Sequence, residues 1–145
     1  CLPAAIGAKI GSPDQEVIAI IGDGGVQMTI QELGTIMQTK TAVKIVILNN
    51  EFLGMVRQWQ ELFFDRRYSA TNMMNPDFVK LTEAYGIKAE RVDQREDLPN
   101  AIKRLIDSED SYLLEVKVAK EGNVFPMVPT GASVSEIVLE KPSKS

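Results

Sequence analysis

Two short clusters carry residue types able to hold a charged ligand. Gly22-Asp23-Gly24-Gly25 closes one apolar run and Asn49-Asn50 closes another, with Asn50 standing 27 positions after Asp23. That interval fits one helix plus one strand of a βαβ unit, so both side chains reach the same edge of a parallel sheet. A carboxylate oxygen from Asp23, an amide oxygen from Asn50, a loop carbonyl and the oxygens of a bound diphosphate would complete the octahedral shell that Mg²⁺ prefers. The glycines around Asp23 predict a tight turn whose backbone N–H groups approach an anion. Two other phosphate-binding patterns fail: a dinucleotide fingerprint from Gly22 needs its third glycine where Gln27 stands, and no Gly-Lys-Ser/Thr triplet occurs. Alone, Gly-Asp-Gly reads as a turn and Asn-Asn as a cap; the spacing makes them a candidate site.

Composition narrows the partners. With 16 Lys and Arg against 20 Asp and Glu, the formal charge is −4 and gives no basic field for nucleic acid. The chain has no His and a single cysteine, Cys1, which excludes the usual zinc ligand sets and an intrachain disulfide framework. A metal here is expected to be a hard ion on oxygen ligands. A 44% hydrophobic and 25% charged composition is that of an ordinary folded domain rather than a disordered or fibrous chain. The longest apolar stretch, Ala42 to Leu48, is broken by Lys44 and falls far short of the roughly 20 residues needed to cross a bilayer. No membrane partner is expected, and without a leader-like segment the setting reads as cytoplasmic.

The elements that must position these clusters alternate between strand and helix. Leu2 to Ile10 looks like the middle of a helix, its small residues Ala4, Ala5, Gly7 and Ala8 suited to close packing, and Cys1 without an initiating Met reads as the start of a fragment. Glu16 to Ile21 and Lys44 to Leu48 read as strands buried on both faces. Between them Thr29 to Lys40 reads as a helix, with Thr29 and Glu32 at capping-box spacing and Ile30, Leu33 and Met37 on one face. A helix is expected from about Met55 to Phe63. Another follows Asn75-Pro76, with Asn75 as cap, Pro76 at the first helical position and Gly86 at its end. Ala89 to Val92 is a third strand, Glu96 to Ser108 a helix and Tyr112 to Val118 a fourth strand. The pattern predicts a doubly wound α/β fold with a mainly parallel sheet and helices on both faces, truncated at its N-terminal side. Residues 1–130 form the domain and residues 131–145 a loose tail.

The pairing GDGG with NN resembles the thiamine-diphosphate motif of the thiamine-dependent enzymes. LPAAIGAK ahead of it, GMVRQWQELFFDRRYS after the Asn pair, NPDFVKLTEAYG in the middle and VFPMVPTGA near the end resemble the C-terminal cofactor domain of the acetolactate synthase catalytic subunit over nearly the whole chain. The resemblance implies an enzyme that decarboxylates pyruvate and joins the hydroxyethyl unit to a second 2-ketoacid, on the way to branched-chain amino acids. It makes Asp23 and Asn50 side-chain ligands of Mg²⁺ and the main-chain carbonyl of Phe52 a third. The family often has a polar residue at the Phe52 position, to which a carbonyl ligand is indifferent. Gly22, Gly24, Gly25, Leu53, Gly54 and Met55 then match positions lining the diphosphate and the pyrimidine ring of the cofactor.

For Trp59, four residues after Met55 and on one helical face with it and with Val56 or Leu62, two readings stand. One is a core stripe. The other, implied by the resemblance, is a substrate channel formed with Met55 and Val56 that favours the larger second ketoacid. Arg57, Arg66 and Arg67 either meet a ketoacid carboxylate or pair with Glu61 and Asp65. The resemblance implies further partners: the enzyme's remaining domains, a second copy in a homo-oligomer, a regulatory subunit and FAD bound outside this chain. The Glu that activates the cofactor lies on another domain in the family, so this chain alone is expected to be inactive. Two rivals remain, another thiamine-dependent 2-ketoacid decarboxylase or oxidase, and a flavodoxin-like Mg²⁺-binding regulatory module using Asp23 as a switch.

Overall fold

A computed structural model describes residues 1–140. Its elements run α1 Leu2–Gly11, β1 Ile18–Gly22, α2 Asp23–Gln27, α3 Glu32–Thr39, β2 Lys44–Asn49, α4 Gly54–Phe63, α5 Phe78–Ala84, β3 Lys88–Val92, α6 Leu98–Asp107 and β4 Tyr112–Lys117. The four strands form one sheet in the order β1-β2-β4-β3, parallel throughout. The strand order explains why helices lie on both faces of the sheet. The chain moves one way from β1 through β2 to β3 and then steps back to β4, and right-handed crossovers put the returning helix on the opposite face. Thus Leu2, Ile6, Leu33, Ile36 and Phe78 pack with Ala19, Ile21, Ile45, Ile47 and Leu113 on one face, while Ala101 and Leu105 of α6 pack with Val92, Leu114 and Val116 on the other. The expected burial of β1 on both faces does not hold: Ala19 and Ile21 are buried while Ile18 and Ile20 are exposed, because β1 is an edge strand whose second face no described helix covers.

Several local expectations give way to the packing. The Thr29 capping box does not form: α3 starts at Glu32 behind Gln31, Thr29 Oγ1 is buried with no partner among the described residues, and the Glu32 carboxylate accepts from Thr35 Oγ1 at 2.7 Å. Ile36 is buried with Leu33, and Met37, expected on that face, is exposed. In α1 only the stripe Leu2, Ala5 and Ile6 meets the sheet; Ala4, Gly7 and Ala8 are exposed, so their small size serves no close contact among the described residues. Asp77 rather than Asn75 caps α5, accepting from the Lys80 N–H at 3.3 Å, and Gly86 ends that helix with φ +71°. Residues 131–140 are not a loose end. Met127 and Val138 exchange two backbone hydrogen bonds, and Ser133 with Glu136 makes the capping box over a short turn. Residues 141–145 lie outside the described residues. No helix among the described residues is long and apolar enough to cross a membrane.

Candidate functional site

The carboxyl ends of β1 and β2 are level, Gly22 lying opposite Leu48, which is where parallel α/β sheets place ligands. A cavity of about 670 Å³ opens there. It is lined by Gly22, Asp23, Gly24, Gly25, Asn50, Phe52, Leu53, Gly54 and Met55, with Leu48, Val56, Val118, Ala119 and Gly122 completing the wall. Every residue expected at the cofactor from sequence therefore borders one cavity. Trp59 stands just beyond it. Met55 and Val56 are shared with a second, apolar cavity of about 420 Å³ that Trp59, Gln60 and Phe64 close.

The glycines work differently from the expected tight turn. Gly22 is extended, with φ −74° and ψ 156°, and the chain passes directly into α2, whose first residue is Asp23. What glycine supplies at position 24 is closeness: a Cβ there would lie 2.8 Å from Leu53 Cδ2 and 3.1 Å from Met73 Sδ. At Gly22 the equivalent space is open, leaving room beside the Asp23 backbone.

Asp23 is buried at 1% exposure, and its two oxygens are used unequally. Oδ2 accepts from the Glu51 N–H at 3.0 Å and from Asn75 Nδ2 at 2.7 Å. No described residue donates to Oδ1. Asn50 Oδ1 accepts from the Phe52 N–H at 3.1 Å, an Asx turn that presents the Asn50–Phe52 loop to the cavity. Glu51 holds this loop from behind. Its backbone is left-handed at φ +58°, which aims its N–H at both Asp23 Oδ2 and Asn49 Oδ1. Hydrogen bonds from Lys120 and then Lys117 keep the Glu51 carboxyl down at about 2, so it stays an anion directed at those lysines.

This donor set fits a divalent cation carrying a diphosphate. Among the described residues no group of three or more acidic, His or Cys side chains gathers, so one carboxylate, one amide and one carbonyl leave coordination positions to the ligand's own oxygens. The cation in turn offsets diphosphate charge that no Lys or Arg among the described residues lining the cavity would neutralise.

The arginines resolve toward pairing. Arg57 lies between the Phe52 and Tyr68 rings, at 5.1 and 4.9 Å from their centroids, and meets Glu61 at 3.7 Å. Arg66 also reaches Glu61, and Arg67 pairs with exposed Asp65. Trp59 is 40% exposed and packs edge-on against Phe63 at 6.3 Å, so it stands outside the buried core of the described residues.

Sequence reasoning missed the supports. Glu115, buried in mid-strand, accepts from Asn49 Nδ2 at 2.6 Å and from Arg91 Nε at 2.8 Å, and that hydrogen bond raises the Arg91 pKa. Gln58 is buried, exchanging bonds with both backbone groups of Val124 and so tying α4 to the Gly122–Met127 segment. A lone Glu inside the otherwise apolar run Tyr112 to Val116 was the available signal for the first.

Comparison with known proteins agrees with this geometry. The family described as thiamine pyrophosphate enzyme, C-terminal TPP binding domain, matches residues 1–116. The mitochondrial acetolactate synthase of Schizosaccharomyces pombe is 49% identical over 97% of this chain, and the acetolactate synthase isozyme 2 large subunit of Escherichia coli is 46% identical over 97%. The chain spans only 21% and 26% of those two proteins. Among solved structures, the Rhodococcus jostii thiamine diphosphate-dependent 4-hydroxybenzoylformate decarboxylase superposes with a TM-score of 0.77 at 35% identity, covering 83% of this chain and 23% of that one. With a match across most of its length and the motif residues gathered at one cavity, the chain belongs to the C-terminal TPP-binding domain family of the thiamine pyrophosphate enzymes.

Proposed function

We propose that this domain serves an acetolactate synthase, holding thiamine diphosphate and Mg²⁺ while pyruvate is decarboxylated and its two-carbon unit is transferred to a second 2-ketoacid. The observation that carries the reading is the convergence of Asp23, Asn50 and the Phe52 loop on one cavity whose far wall leads to Trp59. The names of the two relatives support the choice of reaction over a decarboxylase or oxidase. Asp23, Asn50 and the Phe52 carbonyl would hold the metal; Gly22 leaves room for the diphosphate, Gly24 and Gly25 border the same cavity, and Leu53, Gly54 and Met55 wall the ring. When bound, thiamine diphosphate supplies the electron sink for carbanion chemistry. The chain's own part is to hold that group, orient it and keep water from its reacting face.

On this reading the activating Glu comes from another domain, and the chain by itself is inactive. A homo-oligomer, a regulatory subunit, FAD bound elsewhere in the enzyme and a cytoplasmic setting belong to the same proposal. The Escherichia coli relative is named a large subunit and the Schizosaccharomyces pombe one is named mitochondrial.

The test is product analysis of the intact enzyme given pyruvate with and without 2-ketobutyrate. Acetolactate is the expected product, against acetaldehyde for a decarboxylase and acetate for an oxidase. Trp59→Leu should keep pyruvate self-condensation and lower the preference for 2-ketobutyrate by about tenfold, within the roughly 1–3 kcal/mol that one methylene commands. An unchanged product ratio returns Trp59 to a packing role.

A further inference from the structure

Asn75 lies outside both motif clusters, yet its amide joins them. Its Nδ2 donates to Asp23 Oδ2 at 2.7 Å and to Asn49 Oδ1 at 3.0 Å, and its Oδ1 accepts from Gln27 Nε2 at 2.8 Å. The orientation of the amide is forced. A carboxylate only accepts, and Asn49 Oδ1 already receives the Glu51 N–H, so both partners require the NH₂ end of Asn75. We infer that Asn75 is a positioning residue for the metal site: by occupying Oδ2 together with the Glu51 N–H, it turns Oδ1 of Asp23 toward the cavity as the free carboxylate oxygen. This rests on the proposal that Asp23 is a metal ligand.

The consequence is specific. With the Asn75 donor gone, the Asp23 carboxylate keeps one anchor instead of two and can rotate, so metal affinity falls by about 10–100-fold, the range typical when a partner of a metal ligand is lost. Gln27 acts one step further out, fixing which end of the Asn75 amide faces Asp23. Its loss should therefore cost less, about two- to fivefold.

The experiment uses the intact enzyme with Mn²⁺ in place of Mg²⁺, its affinity read by electron paramagnetic resonance at saturating thiamine diphosphate. Asn75→Leu should weaken Mn²⁺ binding by 10–100-fold, and its kcat should recover when metal is raised to saturation, whereas merely structural damage would not be repaired by metal. Gln27→Met, a gentler change, should give the smaller loss and keeps the test decisive if Asn75→Leu folds poorly. Mn²⁺ affinity within twofold of wild type in both variants, with Asp23→Asn strongly impaired, overturns the role of Asn75 and leaves the metal site standing. If Asp23→Asn itself binds Mn²⁺ normally, the metal assignment fails and the inference goes with it.

Discussion

Asp23→Asn should be as damaging as Asp23→Ala, although Asn is nearly the same shape. Both Oδ2 partners are donors, the Glu51 N–H at 3.0 Å and Asn75 Nδ2 at 2.7 Å, so an amide at position 23 must put its oxygen there. Its NH₂ group then points into the cavity, presenting hydrogens where a cation needs an oxygen lone pair. Either substitution should lower Mg²⁺-dependent retention of thiamine diphosphate in the intact enzyme by more than about 100-fold, beyond what outer partners of a metal ligand command. Phe52→Leu should be mild. Its carbonyl survives, and what is lost is ring contact with Arg57 at 5.1 Å and Lys120 at 6.0 Å, a few-fold effect at about 0.5–1 kcal/mol for each exposed cation–π contact. Equilibrium dialysis with labelled cofactor distinguishes the two classes, and equal losses at Asp23 and Phe52 would contradict the assignment.

The second large effect is on stability. Among the described residues Arg91 is the only cation hydrogen-bonded to Glu115, whose side chain is 1% exposed, and Arg91→Leu leaves it only the longer Lys117 ion pair at 3.9 Å. Breaking a buried pair from one side costs about 3–5 kcal/mol. The Arg91 side chain is 35% exposed, so solvent already screens part of the interaction, and Asn49 Nδ2 still donates to the carboxylate. A loss of about 2–3 kcal/mol in urea unfolding is expected. Because the same Glu115 orients Asn49, and Asn49 Oδ1 meets Asn75, the variant should also weaken metal binding modestly. A stability change below about 0.5 kcal/mol would show that Glu115 is not held by this pair.

The α/β pattern was legible because buried parallel strands leave largely apolar runs, as in β2 between Lys44 and Asn49 and in β4, which Glu115 interrupts. Asp23 and Asn50 were legible for a related reason: strand ends in a βαβ unit fix which loops meet, so spacing alone brings them together. Helix starts were less so. Thr29 with Glu32 has the capping-box spacing and does not cap, whereas Ser133 with Glu136 has the same spacing and does, because tertiary packing at Val26 and Leu33 decides where α3 can begin. Asn75 illustrates the deeper limit. An Asn before a Pro has a sound local reading as a cap, and nothing local shows that Asp77 takes that task and frees the amide to bond a carboxylate 52 positions away. Glu51 is similar, since its contribution is a left-handed backbone rather than its side chain.

The most direct test of a metal-clamped diphosphate at Asp23 and Asn50 is calorimetric titration of the intact enzyme with thiamine diphosphate, first with Mg²⁺ and then with the metal chelated. One cofactor should bind per chain with Mg²⁺ present, and binding should fall by at least about 100-fold when the ion is removed, because no cationic side chain among the described residues lines the cavity to replace it. Binding of equal strength with and without metal would contradict the account.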